Sequence, residues 1–124
     1  MGGNRLATRT MSYLINPFEV RCKILARRLR VRFVHLAPGI TTRHSDTIDV
    51  EFLVDGQKVT VAVPCATLAE LRERERRNFT DQQLAEIAAA YLRTTLERGF
   101  DPALVELRMT DQELRQVAGQ WGYL

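Results

Sequence analysis

The chain has 124 residues, 45% of them apolar and 27% charged, with no apolar run near the roughly 20 residues of a membrane span. Its two cysteines, Cys22 and Cys65, are too few for a disulfide-built secreted scaffold, so a reduced, cytoplasmic protein is expected. The net charge of +3 divides into +8 over residues 1–44, where Glu19 is the only acid, and −5 over residues 45–124, which points to an anionic partner for the front or contact between the two parts.

Residues 1–15 contain Gly2-Gly3 and scattered threonines with no clear period. They read as a mobile tail ahead of a single domain over 16–124. The tail's arginines and lack of acid also fit an organellar transit peptide, which is the alternative localisation. Asn16-Pro17-Phe18-Glu19 has the form of a helix start, with a capping asparagine and proline at the first helical position. Phe18, Cys22, Leu25 and Leu29 follow at helical spacing, so the reading is a helix over about 17–28. From Leu29 the period becomes two: Leu29, Val31, Phe33 and His35 alternate with Arg30, Arg32 and Val34. That is a strand over about 29–36, with His35 on its apolar side. Ala37-Pro38-Gly39 ends it, and Thr41–Asp46 is a polar loop.

A β-hairpin comes next. Two alternating runs, 48–54 and 58–63, flank Asp55-Gly56, the favoured centre of a two-residue type I′ turn. Such a turn sets Val54 against Gln57, Phe52 against Val59, Val50 against Val61 and Ile48 against Val63. In that register the alternating apolar residues share one face, while Asp49, Glu51, Lys58 and Thr60 share the other. A slip of one residue would destroy the agreement. An apolar hairpin face needs a cover.

Three helices supply it. Thr67-Leu-Ala-Glu70, Thr80-Asp-Gln-Gln83 and Thr110-Asp-Gln-Glu113 each have the form of a capping box. Phe79 and Met109 stand where a hydrophobic staple would pack on Leu84 and Leu114. The helices are expected from Thr67 to about Arg77, from Asp81 to Arg98 with Gly99 as the stop, and from Asp111 to about Gln120. The last should bury Leu114, Val117 and Trp121. Segment 104–109 reads as a short strand beside the hairpin, with a helix as the alternative. The expected fold class is α+β: a small antiparallel sheet built on the 48–63 hairpin, covered on one face by three to four helices.

Few residues nominate chemistry. The histidines are His35 and His44, and His44-Ser-Asp46 lacks the further ligands a metal would need. Cys65 follows Pro64 at a helix mouth, where a helix N-terminus lowers a thiol pKa, but no general base is evident for it. The glycines form no phosphate loop or dinucleotide fingerprint. No cofactor or metal is expected. Arg21, Lys23, Arg27, Arg28, Arg30 and Arg32 form a basic segment suited to phosphate, without interleaved aromatics for base stacking. Trp121 and Tyr123 at the C-terminus are the residues for a protein partner. The leading expectation is a small non-enzymatic binding or adaptor protein, self-associating in one version. A nucleic-acid-binding regulator using 21–32 is the alternative, and a thiol-dependent enzyme at Cys65 the second. A membrane partner is not expected.

Overall fold

In a computed structural model the described residues are 15–23, 26–38, 46–99 and 106–124. They form five strands and three helices: β1 (Phe18–Cys22), β2 (Arg27–Pro38), β3 (Thr47–Val54), β4 (Gln57–Pro64), α1 (Cys65–Glu75), α2 (Asp81–Glu97), β5 (Glu106–Arg108) and α3 (Asp111–Gln120). The strands lie in one sheet in the order β1-β2-β3-β4-β5, antiparallel except for β4–β5. The chain is an α+β domain whose helices pack against this curled sheet.

The hairpin has the register its turn dictates. Val54 faces Gln57, Phe52 faces Val59, Val50 faces Val61 and Ile48 faces Val63. Asp55 at φ 50° and Gly56 at φ 83° supply the two positive φ values of a type I′ turn. Val50, Phe52, Val54, Val59, Val61 and Val63 are all fully buried. Phe33 joins them through an edge-to-face contact with Phe52, ring centroids 5.9 Å apart.

The segment before the hairpin differs from its sequence reading. Residues 18–22 form an edge strand, and the helix expected over 17–28 is not formed there. Phe18, Val20 and Cys22 alternate as well as Phe18 and Cys22 fit a helix. The choice falls to β2, whose Val31, Leu29 and Arg27 stand opposite Phe18, Val20 and Cys22. Pairing with that long strand buries Val20 and Cys22 on the core side. Leu25, the tail over 1–14, the 39–45 part of the polar loop with His44, and the turn at Phe100–Pro102 lie outside the described residues.

A second departure sits inside β2. The pairing slips by one residue between Phe33 and His35, a β-bulge that leaves Val34 as the extra residue. Phe33 pairs with core-facing Phe52, whereas His35 pairs with Glu51. The bulge therefore moves His35 to the outward face, opposite to the face that strict alternation assigns it.

Helix α2 covers β1, β2 and β4, and α3 packs on α2 and β4. Both begin with complete capping boxes. Thr80 accepts from the Gln83 N–H at 3.1 Å and its own N–H donates to Gln83 Oε1 at 3.0 Å; Thr110 and Glu113 repeat this at 3.1 and 2.9 Å. From α2, Leu84, Ile87, Ala88, Leu92 and Leu96 enter the core, and from α3 Leu114 and Ala118. Arg98 caps α2 and Gly99 follows at φ 103°. The strand reading of segment 104–109 holds for Glu106–Arg108, parallel to β4.

The third box does not act as a cap. Helix α1 starts two residues earlier, at Cys65, whose N–H donates to the Asp46 carbonyl at 2.8 Å. Thr67 thus lies inside the helix, and its hydroxyl donates to Asp111 Oδ1 at 2.8 Å. Arg115 of α3 reaches the same seam, donating to Asp111 and Glu75 at 3.2 and 3.1 Å and also to Glu70. The cap position falls to Pro64, which makes no side-chain cap hydrogen bond.

Candidate functional site

Alternation along the first two strands sorts the basic segment. In β1, Glu19 and Arg21 point outward while Val20 and Cys22 are buried; in β2, Arg28, Arg30 and Arg32 point outward while Leu29 and Val31 are buried. The strand rise spaces the β2 guanidinium stems by about 6.6 Å. The register sets Arg21 directly opposite Arg28 and Glu19 opposite Arg30. Arg21, Arg28, Arg30 and Arg32 therefore make one basic patch over two adjacent strands.

Its charge is scarcely neutralised. Glu19 Oε1 lies 3.5 Å from Arg28 Nη1, with the two side chains 53% and 71% exposed, a pairing that water and salt largely screen. Among the described residues, no acid pairs with Arg21, Arg30 or Arg32. Like charges directly opposite each other cost a sheet stability, so the Arg21–Arg28 pair is a cost that an anion would relieve.

The other two basic residues stand apart from the patch. Lys23 follows the end of β1, and Arg27 is drawn to the far side of the hairpin turn, where its guanidinium donates to Asp55. Asp55 also accepts from the Arg30 N–H at 2.8 Å. That backbone hydrogen bond, with Arg27, holds the Asp55 carboxyl below the usual carboxylate range. Arg27 thus locks the turn to β2.

Beyond the patch the outward face carries acids as well as bases. Glu51 lies between His35, at 3.6 Å from Nδ1, and Lys58, at 3.3 Å from Nζ. The bulge that re-aims His35 is what brings it to Glu51, so this cluster is invisible to a strict period-two reading.

Cys65 does not have the thiol its position suggests. Burial pushes its pKa up, and the negative charges of Asp46 and Asp49 add to the shift. Cys22 is buried in the core. Among the described residues, no group of three His, Cys, Asp or Glu side chains is placed to hold a metal ion, and no helix is long and apolar enough to cross a membrane.

At the C-terminus the two aromatic residues separate. Tyr123 folds back on its own domain: its N–H donates to the Ala118 carbonyl at 2.9 Å, its hydroxyl donates to Glu86, and its ring packs beside Phe79 at 6.4 Å. The carboxylate acceptor pushes the Tyr123 pKa up to about 12. Trp121, expected in the core, stays 47% exposed; it is the C-cap residue of α3, one position past the helix. It borders a cleft with Ile15, Phe18, Ala89, Ala90 and Arg93, in which the Arg93 guanidinium stacks 4.5 Å above the Phe18 ring. The sequence marked Trp121 but not this cleft, since Arg93 and Phe18 meet only through the packing of α2 on β1. Comparison of the chain with protein-family models, curated proteins and solved structures gives no match.

Proposed function

We propose that this protein is a non-enzymatic binding module that grips the phosphate backbone of a nucleic acid with the outward face of β1 and β2. The observation that carries the reading is the exposed, nearly uncompensated group Arg21, Arg28, Arg30 and Arg32, with Arg21 held opposite Arg28. Guanidinium forks match phosphate oxygens bidentately, and binding them releases condensed counterions. The face carries no outward Phe, Tyr or Trp for base stacking: Phe33 is turned to the core against Phe52. Recognition of this kind reads charge and backbone, not base sequence.

The test is fluorescence anisotropy with labelled DNA and RNA over a salt series. The wild type is expected to lose affinity steeply with salt. The Arg28/Arg30/Arg32→Ala variant is expected to lose about 2–3 from the slope of log K against log salt, one phosphate contact per arginine. Equal binding and equal slopes for both proteins would remove the proposal.

A second reading rests on Trp121. A half-exposed tryptophan beside a cleft of mixed apolar and polar lining suits a protein partner. Trp121 fluorescence that shifts on mixing with a captured partner, and is unmoved by polynucleotide, would favour it.

A further inference from the structure

The geometry points to self-association of this protein through the outer edge of β1, two copies pairing antiparallel about a twofold axis at Val20. This inference does not depend on the phosphate reading. Among the described residues, β1 ends the sheet and no strand pairs with its outer edge. Which of its backbone groups face outward follows from Arg30. Its carbonyl accepts from the Asp55 N–H at 2.8 Å and its N–H donates to Asp55 Oδ1, so the Arg30 backbone faces β3. Backbone groups alternate sides along an antiparallel strand, so Leu29, Val31 and Arg27 face β1. Their partners Val20, Phe18 and Cys22 therefore turn inward to β2. The N–H and C=O groups of Glu19 and Arg21 remain, aimed at the open edge.

A second copy matches this edge. With Val20 on the twofold axis, Glu19 stands opposite Arg21 of the other copy, and Arg21 opposite its Glu19. The two pairs exchange four backbone hydrogen bonds, and the same residues carry opposite charges on the outward face. On the core side, Val20 meets Val20 and Phe18 meets Cys22. Sliding either copy by two residues sets like charges or unpaired ends against each other, so the charge pattern selects one register. The result is a continuous ten-stranded sheet, five strands from each copy.

The test is sedimentation equilibrium of the full chain. Wild type is expected at about twice 14.2 kDa. Glu19→Arg alone sets arginine against arginine twice, and Arg21→Glu alone sets glutamate against glutamate; each is expected to weaken self-association at least tenfold. Mixed together, these two variants restore both opposite-charge pairs, and the doubled mass is expected to return, which also establishes that each is folded. Glu19→Pro removes one outward N–H without touching the ladder to β2 and is expected to be monomeric. Three outcomes would overturn the inference: wild type at the single-chain mass up to about 1 mM, a doubled mass that survives both charge reversals, or no recovery on mixing.

Discussion

Asp55 and Arg30 hold each other twice: the Asp55 N–H donates to the Arg30 carbonyl at 2.8 Å, and the Arg30 N–H donates to Asp55 Oδ1 at 2.8 Å. The residue that makes the hairpin turn thereby also fastens it to the neighbouring strand. Asp55→Ala is expected to lower the unfolding free energy by about 1–2 kcal/mol, because it strands the Arg30 N–H and puts a poorer residue at φ 50°. Asp55→Asn keeps an acceptor and tolerates that φ, so its loss should be about half as large. The carboxyl pKa lies below its ordinary value, so this stabilisation is present above the unfolded value of about 3.9 and is lost as pH falls through the folded one. Thermal unfolding from pH 2 to 6 should show a shallower acid limb for Asp55→Asn than for wild type.

The two working capping boxes are separable from the inert one. Thr80→Ala and Thr110→Ala are each expected to cost about 1 kcal/mol in urea unfolding, with serine restoring most of it. Glu113 also accepts from the Tyr91 hydroxyl at 3.2 Å, so Glu113→Ala should cost more than Gln83→Ala. Equal costs would mean that the Tyr91 contact contributes nothing.

The Tyr123–Glu86 contact predicts an alkaline effect. Its raised pKa means that the neutral phenol is the stabilised form. That stability is present below the unfolded value of about 10 and is lost as pH rises through about 12. Burial and Glu113 push Tyr91 up as well. Tyr123→Phe should therefore lower Tm at neutral pH and reduce, without abolishing, its fall above pH 10. A Tm profile identical to wild type would contradict the hydrogen bond.

Cys65 should behave as a sluggish thiol. Burial and the Asp46 and Asp49 charges disfavour its thiolate, so reaction with a disulfide reagent at pH 7 is expected to be slower than for free cysteine. Asp46→Asn removes one of those charges and should speed the reaction severalfold. Reaction faster than free cysteine would revive a nucleophilic role.

Where local chemistry and global packing asked for the same thing, the sequence was legible. Asp55-Gly56 demands one turn type, the flanking alternation demands one register, and both agree from Ile48 to Val63. At Phe18–Cys22 two periods compete within five residues, and only the distant partner β2 decides between them. Asn16-Pro17 resembles a helix start, but the same proline suits the approach to an edge strand. His35 was misplaced because a bulge has no local signature here, and Thr67 because the helix already starts at Cys65 and places it in the interior. The basic face was half legible. The alternation of Arg28, Arg30 and Arg32 gave their common side, but Arg21 joins them only once 18–22 is a strand, and Arg27 leaves them for Asp55.

At the opposite rim, β5 has three residues, Glu106–Arg108, lying parallel to β4. So short a border offers an incoming chain almost nothing to zip onto. Among the described residues β1 is the one long open border, and the pairing proposed above would occupy it and close the array. A protein with two inviting rims could polymerise into ribbons; the proposed pairing would stop at two copies.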